Sequence, residues 1–100
     1  MMLVKPIDLD GATAIGMEIK LPKTTLVVAA TDKGYIMCGA LDVQFLNKHL
    51  KERGIIAGRA VGVRNLDDLL AAPLEAVTDH AAALGIHIGM SGRDALKKML

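Results

Sequence analysis

Cys38 is the residue whose type and position most suggest nucleophilic chemistry. It is the only cysteine of the chain, and it lies between an apolar run that ends at Gly39 and an amphipathic segment that begins at Asp42. Free N–H groups and the positive end of a helix dipole collect at such a strand-to-helix junction, where they stabilise a thiolate. The chemistry would be nucleophilic catalysis by Cys38. The alternative is a small buried hydrophobic group, which is how most free cysteines behave.

A second kind of chemistry is the binding of an anion. Ser91, Gly92 and Arg93 open the last amphipathic segment, where N–H groups, a helix dipole and a guanidinium together suit phosphate or carboxylate. Asp94 competes for the same N–H groups, so the alternative is an ordinary capped helix. Arg59 lies among apolar residues of a predicted strand, where its charge needs an ion pair, a sheet edge or a bound anion.

Metals and cofactors are not expected. The three histidines, at positions 49, 80 and 87, match no zinc-binding spacing, and neither a second cysteine nor an H-E-x-x-H sequence is present. The glycine patterns of dinucleotide sites, phosphate-binding loops and hydrolase nucleophile turns are missing as well. We therefore predict neither a metal nor a cofactor.

The charge balance argues against a dedicated nucleic-acid binder. The 100 residues include 12 basic and 11 acidic side chains, one Phe, one Tyr and no Trp. Such binders normally carry a basic excess and stacking aromatic residues. A nucleic-acid partner is therefore unexpected, unless assembly of several copies gathers Arg53, Arg59 and Arg64 into one patch.

The features that reveal cellular location favour the cytoplasm. A single cysteine cannot form an intramolecular disulfide, which fits a reducing compartment. The first residues do not have the organisation of a signal peptide, and the apolar runs are shorter than a membrane span requires. We expect a cytoplasmic protein with no membrane partner.

The first part of the chain has the pattern of four antiparallel strands. Turn residues separate its apolar segments at Asp10-Gly11, Pro22-Lys23 and Asp32–Gly34. The second segment alternates apolar and other residues with a period of two, as a half-buried strand does. The predicted strands are Met2–Leu9, Ala12–Leu21, Thr24–Thr31 and Tyr35–Cys38.

The remainder is predicted to be mainly helical. Asp42, Asn65 and Ser91 suit the N-caps of three helices, and Pro73 suits the first turn of another helix that ends at Gly85. The buried stripe expected for that helix is Leu74, Val77, Ala81 and Leu84. One further strand, Ile55–Val63, is expected between the first two helices, with three small residues, Gly58, Ala60 and Gly62, on one face.

Three segments resemble one family of proteins. These are YIMCGALDVQFLN, LDDLLAAPLEAVTDHAAALGI and GIHIGMSGRDALKKM, and together with the rest of the chain they are similar to the YunC-like family, a bacterial and archaeal domain of unknown function. The most specific piece is Gly89–Leu96, which follows a GMxGREAL pattern except that Asp94 replaces Glu. The resemblance implies an N-terminal β-sheet region used for tetramerisation, and it implies no catalytic residues.

These observations lead to one expectation and one alternative. We expect an α+β fold in a single domain, residues 1–100, in which an antiparallel β-meander at 1–41 serves oligomerisation and a mainly helical part at 42–100 packs on the sheet. The protein would be a non-catalytic homotetramer or dimer formed through the N-terminal strands, able to bind a small anionic ligand or a protein. The alternative is a small enzyme that uses Cys38 as nucleophile and an arginine to hold an anionic substrate.

Overall fold

A six-stranded sheet and four α-helices make up the α+β fold of this chain, in a computed structural model that describes residues 1–100. The strands are β1 (Met2–Leu9), β2 (Ala12–Leu21), β3 (Thr24–Ala30), β4 (Gly34–Met37), β5 (Ile56–Arg59) and β6 (Ala76–Val77). The helices are α1 (Val43–His49), α2 (Leu66–Ala71), α3 (Asp79–Ala83) and α4 (Gly92–Lys98), and a short 3-10 helix, Lys51–Arg53, follows α1. None of these helices has the length and apolar character needed to cross a bilayer.

The antiparallel meander predicted for the first part of the chain is confirmed. Strands β1 to β4 pair in sequence order, with Met2 opposite Ile19 in the first pair and Ile15 opposite Ala30 in the second. The β1–β2 turn places Asp10 at φ 59° and Gly11 at φ 104°, which are left-handed conformations that aspartate tolerates and glycine favours. The predicted ends of β3 and β4 differ from the observed ends by a single residue.

Strand β5 is parallel to β4, and α1 makes the connection between them. Helix α1 begins after Asp42, whose carboxylate accepts a hydrogen bond from the Phe45 N–H at 3.0 Å, as the N-cap prediction required. The helix packs against β5 on one face of the sheet through a small cluster that includes Val43 and Ala57. Leu46 packs against this cluster, whereas Phe45 and Leu50 are not part of it.

The other three main helices, α2, α3 and α4, cover the opposite face of the sheet, which we call the covered face. The core between them and the sheet includes Ala14, Ala29 and Ile36 from the strands and Leu66 and Leu96 from the helices. The helical layer is therefore split, because α1 lies on one face and α2–α4 lie on the other. The prediction placed all helices together and did not include this division.

The predicted helix that begins at Pro73 is wrong in its first half. Residues Ala76–Val77 form strand β6 instead, because the Glu75 N–H donates to the Arg59 carbonyl at 2.7 Å and the Thr78 N–H donates to the Ala57 carbonyl at 2.9 Å. Helix α3 begins only after Thr78, whose hydroxyl caps it. Pairing with a distant strand has overridden the local helical pattern of this segment.

The fifth strand is also shorter than predicted. It ends at Arg59, and Gly62 takes a left-handed φ of 74° that turns the chain away from the sheet. The small residues expected on one face include Gly58, and there the side chain of Leu74 approaches to within 2.8 Å of where a Cβ would lie. The side chain that packs closely on the Gly58 backbone is therefore that of Leu74, which lies in a loop.

Helix α4 follows its predicted cap and is fastened to the β1–β2 turn. The Ser91 hydroxyl accepts from the Asp94 N–H at 3.2 Å, and Ala95 and Leu96 lie in the core. The Lys97 ammonium lies 2.6 Å from the Asp10 carboxylate. This contact ties the end of the chain to the first hairpin.

Candidate functional site

Cys38 lies in the core of the covered face, directly after β4. Its side chain belongs to the same cluster as Ala60 and Leu66, and the residue is 7% exposed. Helix α1, the proposed source of a thiolate-stabilising dipole, packs on the other face of the sheet. The five main clefts of the molecule are not lined by Cys38. This placement favours the buried-hydrophobe alternative, and nucleophilic catalysis by Cys38 stays a prediction.

Arg59 lies in β5 on the side opposite the main core, where its guanidinium is held by three hydrogen bonds. Nε and Nη2 donate to the two carboxylate oxygens of Glu75 at 2.7 and 3.0 Å, and Nη1 donates to the Leu41 carbonyl at 3.1 Å. A bidentate pair of this kind occupies the side of the guanidinium that an anionic ligand would use. Arg59 therefore fastens the β4–α1 loop and Glu75 to β5, as the ion-pair alternative anticipated.

The predicted anion site at the start of α4 has most of its donors committed to the protein itself. The Gly92 N–H donates to the Ala72 carbonyl at 3.1 Å, and the Asp94 N–H donates to Ser91. Arg93 Nη1 donates to the Asp8 carbonyl at 3.0 Å. Gly92 is buried so closely that a Cβ there would collide with the Leu69 carbonyl oxygen. Close packing explains the glycine, and the anion-binding role of these residues stays a prediction.

The candidate residues are not gathered into one site. Arg59 lines a cleft of about 540 Å³ with Asp42 and Glu75, whereas Ser91 and Arg93 line a separate cleft of about 300 Å³. Cys38 lies in the core apart from both. The enzyme hypothesis requires the thiol and an arginine to converge, and they do not converge in this chain.

The histidines and carboxylates also form no recognisable site. His49 is exposed and stacks on Phe45 with ring centroids 5.0 Å apart, and the His87 ring contacts the neighbouring Ile88 carbonyl. The chain has no group of three His, Cys, Asp or Glu side chains arranged to hold a metal ion.

The most extensive candidate site is a face of the sheet. The strands β1, β2 and β3 carry a set of side chains that point away from α2–α4, and we call this surface the outer face. Apart from Asp8 at one end, it bears no charge. Its members are Met2, Val4, Pro6, Thr13, Ile15, Met17, Ile19, Leu21, Thr24, Leu26, Val28 and Ala30.

The outer face is open to solvent although it is largely apolar. Val4 and Ile15 are 55% and 53% exposed, and none of the members of the face is fully buried, although Met17, Ile19 and Val28 are partly buried. Helix α1 covers β4 and β5 on this side and leaves β1–β3 open. An uncovered apolar surface spanning three strands marks an interaction site. The period-two alternation of Ala12–Leu21 is the sequence signal that points to it.

A further cleft was not singled out from the sequence. It lies where the β2–β3 turn meets the loop before α2, and it is lined by Lys20, Lys23 and Arg64. These basic residues are 44 positions apart at the extremes (64 − 20), so no local sequence pattern joins them.

Comparison with known proteins gives three matches. The family described as a domain of unknown function (DUF1805) matches residues 37–99. The chain is 59% identical, over 100 residues, to the uncharacterized protein YunC of Bacillus subtilis (strain 168), and the match spans 100% of this chain and 99% of that protein. It is also similar to the crystal structure of a protein of unknown function from Thermoplasma acidophilum, with a TM-score of 0.89 and 31% identity over 100% of this chain and 94% of that one.

Proposed function

This chain belongs to the YunC-like (DUF1805) family, and from that premise we propose that it is a non-catalytic protein that assembles with copies of itself through the outer face. The observation that carries the proposal is the open, uncharged outer face of β1–β3. An exposed apolar sheet face of this extent invites aggregation unless something covers it. A second copy of the same face would cover it in a closed, symmetric way.

The chemistry of the outer face suits a copy of itself. A two-fold axis places the same patch against itself, so any charge in the middle of the patch would meet a like charge. From Thr13 to Leu21, β2 presents only uncharged side chains on this face. Two such faces can stack as sheets do in a sandwich, at a separation of about 10 Å. Self-association therefore buries apolar surface and places no carboxylate or ammonium in the middle of the interface, since Asp8 lies at one end of the face.

Association through the edge of the sheet is less favoured than association through the face. The sheet has two edge strands, of which β6 is only 2 residues long and β1, the long one, contains Pro6. Proline has no N–H to donate, and so it interrupts a ladder of hydrogen bonds between copies. Pro6 instead adds apolar surface to the outer face.

The proposal assigns a role to each part of the chain. Residues 1–41 supply the assembling surface, as the family resemblance implies, and residues 42–100 supply the helices that stabilise the sheet. We treat 1–100 as one domain because β5 and β6 extend the sheet begun by the N-terminal strands. A homotetramer or a dimer in the cytoplasm, without a membrane or nucleic-acid partner, is the form that we propose.

The test compares two exposed isoleucines that lie in different parts of the molecule. Ile15 is 53% exposed in the middle of the outer face, and Ile88 is 65% exposed in the loop before α4. We expect Ile15→Asp to raise the dissociation constant of the assembly at least about a hundredfold, because a buried unpaired carboxylate costs several kcal/mol. Ile88→Asp introduces the same charge and should leave the dissociation constant unchanged.

Sedimentation equilibrium measures both dissociation constants directly. Circular dichroism spectra that match the wild type would show that both variants are folded. An Ile15→Asp protein that assembles as tightly as Ile88→Asp would contradict the role of the outer face. Assembly lost equally in both variants would contradict it too.

A further inference from the structure

The cleft at the β2–β3 turn has an unusual charge. It measures about 530 Å³, and three cations, Lys20, Lys23 and Arg64, line it together with the hydroxyl-bearing Thr24 and Thr25. No carboxylate lines it, whereas each of the other four main clefts includes at least one. The whole chain has a formal net charge of only +1. Two of the three cations, Lys20 and Lys23, form no ion pair, and this excess of positive charge in one concavity sets the cleft apart.

Of the carboxylates nearest in sequence, Glu18 is engaged away from the cleft and Asp68 is paired with Arg64. Glu18 lies two residues before Lys20 on the same side of β2, and its Oε2 accepts from the Leu66 N–H at 2.8 Å. Asp68 Oδ2 accepts from the backbone N–H of Arg64 at 3.2 Å and lies 3.9 Å from its Nε. Lys20 and Lys23 take part in none of the three ion pairs of the structure. Their ammonium groups remain available to a ligand.

The turn that presents Lys23 is strained. Lys23 has a left-handed φ of 63° at a position directly after Pro22, where glycine or asparagine is usual. Strained residues that persist tend to lie at functional positions, and here the strain holds an ammonium at the rim of the cleft. The residue type opposes the backbone geometry, so folding alone does not explain a lysine there.

The cleft lies at the end of β2 and β3, where Leu21 and Thr24 belong to the outer face and Lys20 and Thr25 lie on the opposite side of the sheet. Glu18 contacts α2 on the covered face, and Lys20, two residues along the same strand, points to that side. Thr25 is the register partner of Lys20 and shares its orientation. Covering the outer face with a second copy therefore leaves Lys20 and Thr25 accessible.

We propose that this cleft binds a small phosphorylated molecule, with Lys20, Lys23 and Arg64 contacting the phosphate oxygens. Charge-assisted hydrogen bonds from ammonium and guanidinium groups are the strongest contacts that proteins make to phosphate. A volume of about 530 Å³ exceeds the space that one phosphate fills and lies within the range of small-molecule sites. The two threonine hydroxyls supply further polar contacts for the same ligand.

The test uses inorganic pyrophosphate as the probe and follows backbone amide signals by NMR at low ionic strength. We expect the shifts to concentrate at residues 20–25 and 63–64 and to weaken as salt is added. The Lys20→Gln/Arg64→Gln double variant should raise the dissociation constant at least about tenfold, because it removes two charge-assisted contacts to phosphate. The Lys48→Gln/Lys51→Gln control lowers the net charge by the same amount. It should change the dissociation constant for pyrophosphate less than about twofold.

A third variant separates binding from folding. Lys23→Gly removes one cation and also relieves the left-handed strain, so it should raise the melting temperature while weakening pyrophosphate binding. A variant that merely damaged the fold would lower both. Measuring pyrophosphate binding in Ile15→Asp as well keeps this proposal independent of self-assembly.

Several results would overturn the proposal. One is the absence of pyrophosphate binding at millimolar concentration, and another is a set of shifts that lies outside the cleft. Equal loss of affinity in the two double variants would show a general charge effect in place of a site. Tight binding of a single-stranded oligonucleotide without pyrophosphate binding would also reject a small-molecule site.

Discussion

The two faces of β2 and β3 differ in the size of their side chains. On the covered face the strands present Ala14, Gly16 and Ala29, and on the outer face the same strands present Ile15, Met17 and Val28. A sheet with one solvated face usually carries its large apolar side chains on the side that the chain itself buries. Here the chain's own helices bury mainly small residues of these strands, with Val27 as an exception, and most of the large apolar residues lie on the open side.

The difference shows which elements supply the large apolar side chains on each face of the sheet. On the covered face it is the helices that provide the volume, and Leu66 approaches within 2.8 Å of where a Gly16 Cβ would lie. Small strand residues are needed there because interiors are close-packed. On the outer face the strands themselves carry the large side chains, and over β1–β3 no helix of this chain packs on them. The outer face therefore has the apolar composition of a buried surface, and a second copy of the chain would bury it.

The largest effect expected from this comparison concerns Leu66, which is completely buried on the covered face. Leu66→Ala should lower the free energy of unfolding by about 4 kcal/mol, because it leaves a cavity over Gly16. Leu84→Ala, at a leucine that is 46% exposed just after α3, should change the free energy of unfolding by about 1 kcal/mol or less. Urea unfolding at one protein concentration measures both, and equal losses would contradict the assignment of the core.

Cys38 tests whether the covered face excludes solvent. Because its thiol lies in that core, we expect thiol–disulfide exchange in the folded protein to be at least about a hundredfold slower than in the urea-unfolded chain. The measurement is the rate of modification by a coloured disulfide reagent, with and without urea. A folded-state rate equal to or above the unfolded one would instead support the hypothesis of a reactive nucleophile.

Gly16 tests the size difference itself. A methyl group added in Gly16→Ala would lie 2.8 Å from the ends of both Ile7 and Leu66, so we expect a loss of about 2 kcal/mol. Gly39→Ala is the matched control, because its methyl group would meet only Val61 at 3.6 Å. The readout is again urea unfolding. A Gly16→Ala protein as stable as Gly39→Ala would show that the core on the covered face can accommodate an additional methyl group.

The smallest effect expected concerns the contact between the first hairpin and α4. A hydrogen bond from Lys97, together with the charges of Lys97 and Arg93, lowers the pKa of Asp10 below its usual 3.8. Because the folded-state pKa is the lower one, this contact stabilises the protein above about pH 4 and the stabilisation is lost as the pH falls through the folded-state pKa. The gain is small, since the pair is solvated.

An NMR titration of the Asp10 carboxyl carbon gives this pKa directly. In Lys97→Gln the midpoint should move back toward 3.8, whereas Lys48→Gln should not move it. A midpoint that is the same in wild type and Lys97→Gln would contradict the contact.

The parts of the fold that depend on local signals were predictable from the sequence. Asp10-Gly11 specifies a tight turn, and alternation over Ala12–Leu21 specifies a half-buried strand, so the meander has nearly its predicted bounds. The caps at Asp42, Asn65 and Ser91 are likewise local, because each acts on an N–H three residues ahead.

The parts that depend on distant contacts were not predictable in this way. Ala76–Val77 carries a helical pattern, yet it forms β6 because it pairs with β5, a strand that lies much earlier in the chain. Val77 is opposite Gly58 and Ala76 is opposite Arg59. The division of the helices between two faces has the same origin, since it depends on the parallel pairing of β4 with β5.

The candidate site shows the same limit. The positions of Cys38 and Arg59 in the sequence suggest chemistry, but their partners become known only in three dimensions. The Arg59 guanidinium donates to Glu75, which lies 16 residues later in the chain. The Cys38 side chain is buried in the core beneath the helices of the covered face. The set of side chains on the outer face of β2, by contrast, follows from the alternation over Ala12–Leu21, whereas the assembly role of the N-terminal region was implied by the family resemblance.

The mass of the wild-type protein in solution, measured by multi-angle light scattering at micromolar concentration, tests the central claim most directly. If copies of the chain cover one another's outer faces, the mass will be a whole multiple of 10.6 kDa, with a dimer or a tetramer as the expected form. A mass of 10.6 kDa that persists as the concentration rises would contradict the account, because the outer face would then remain open to water.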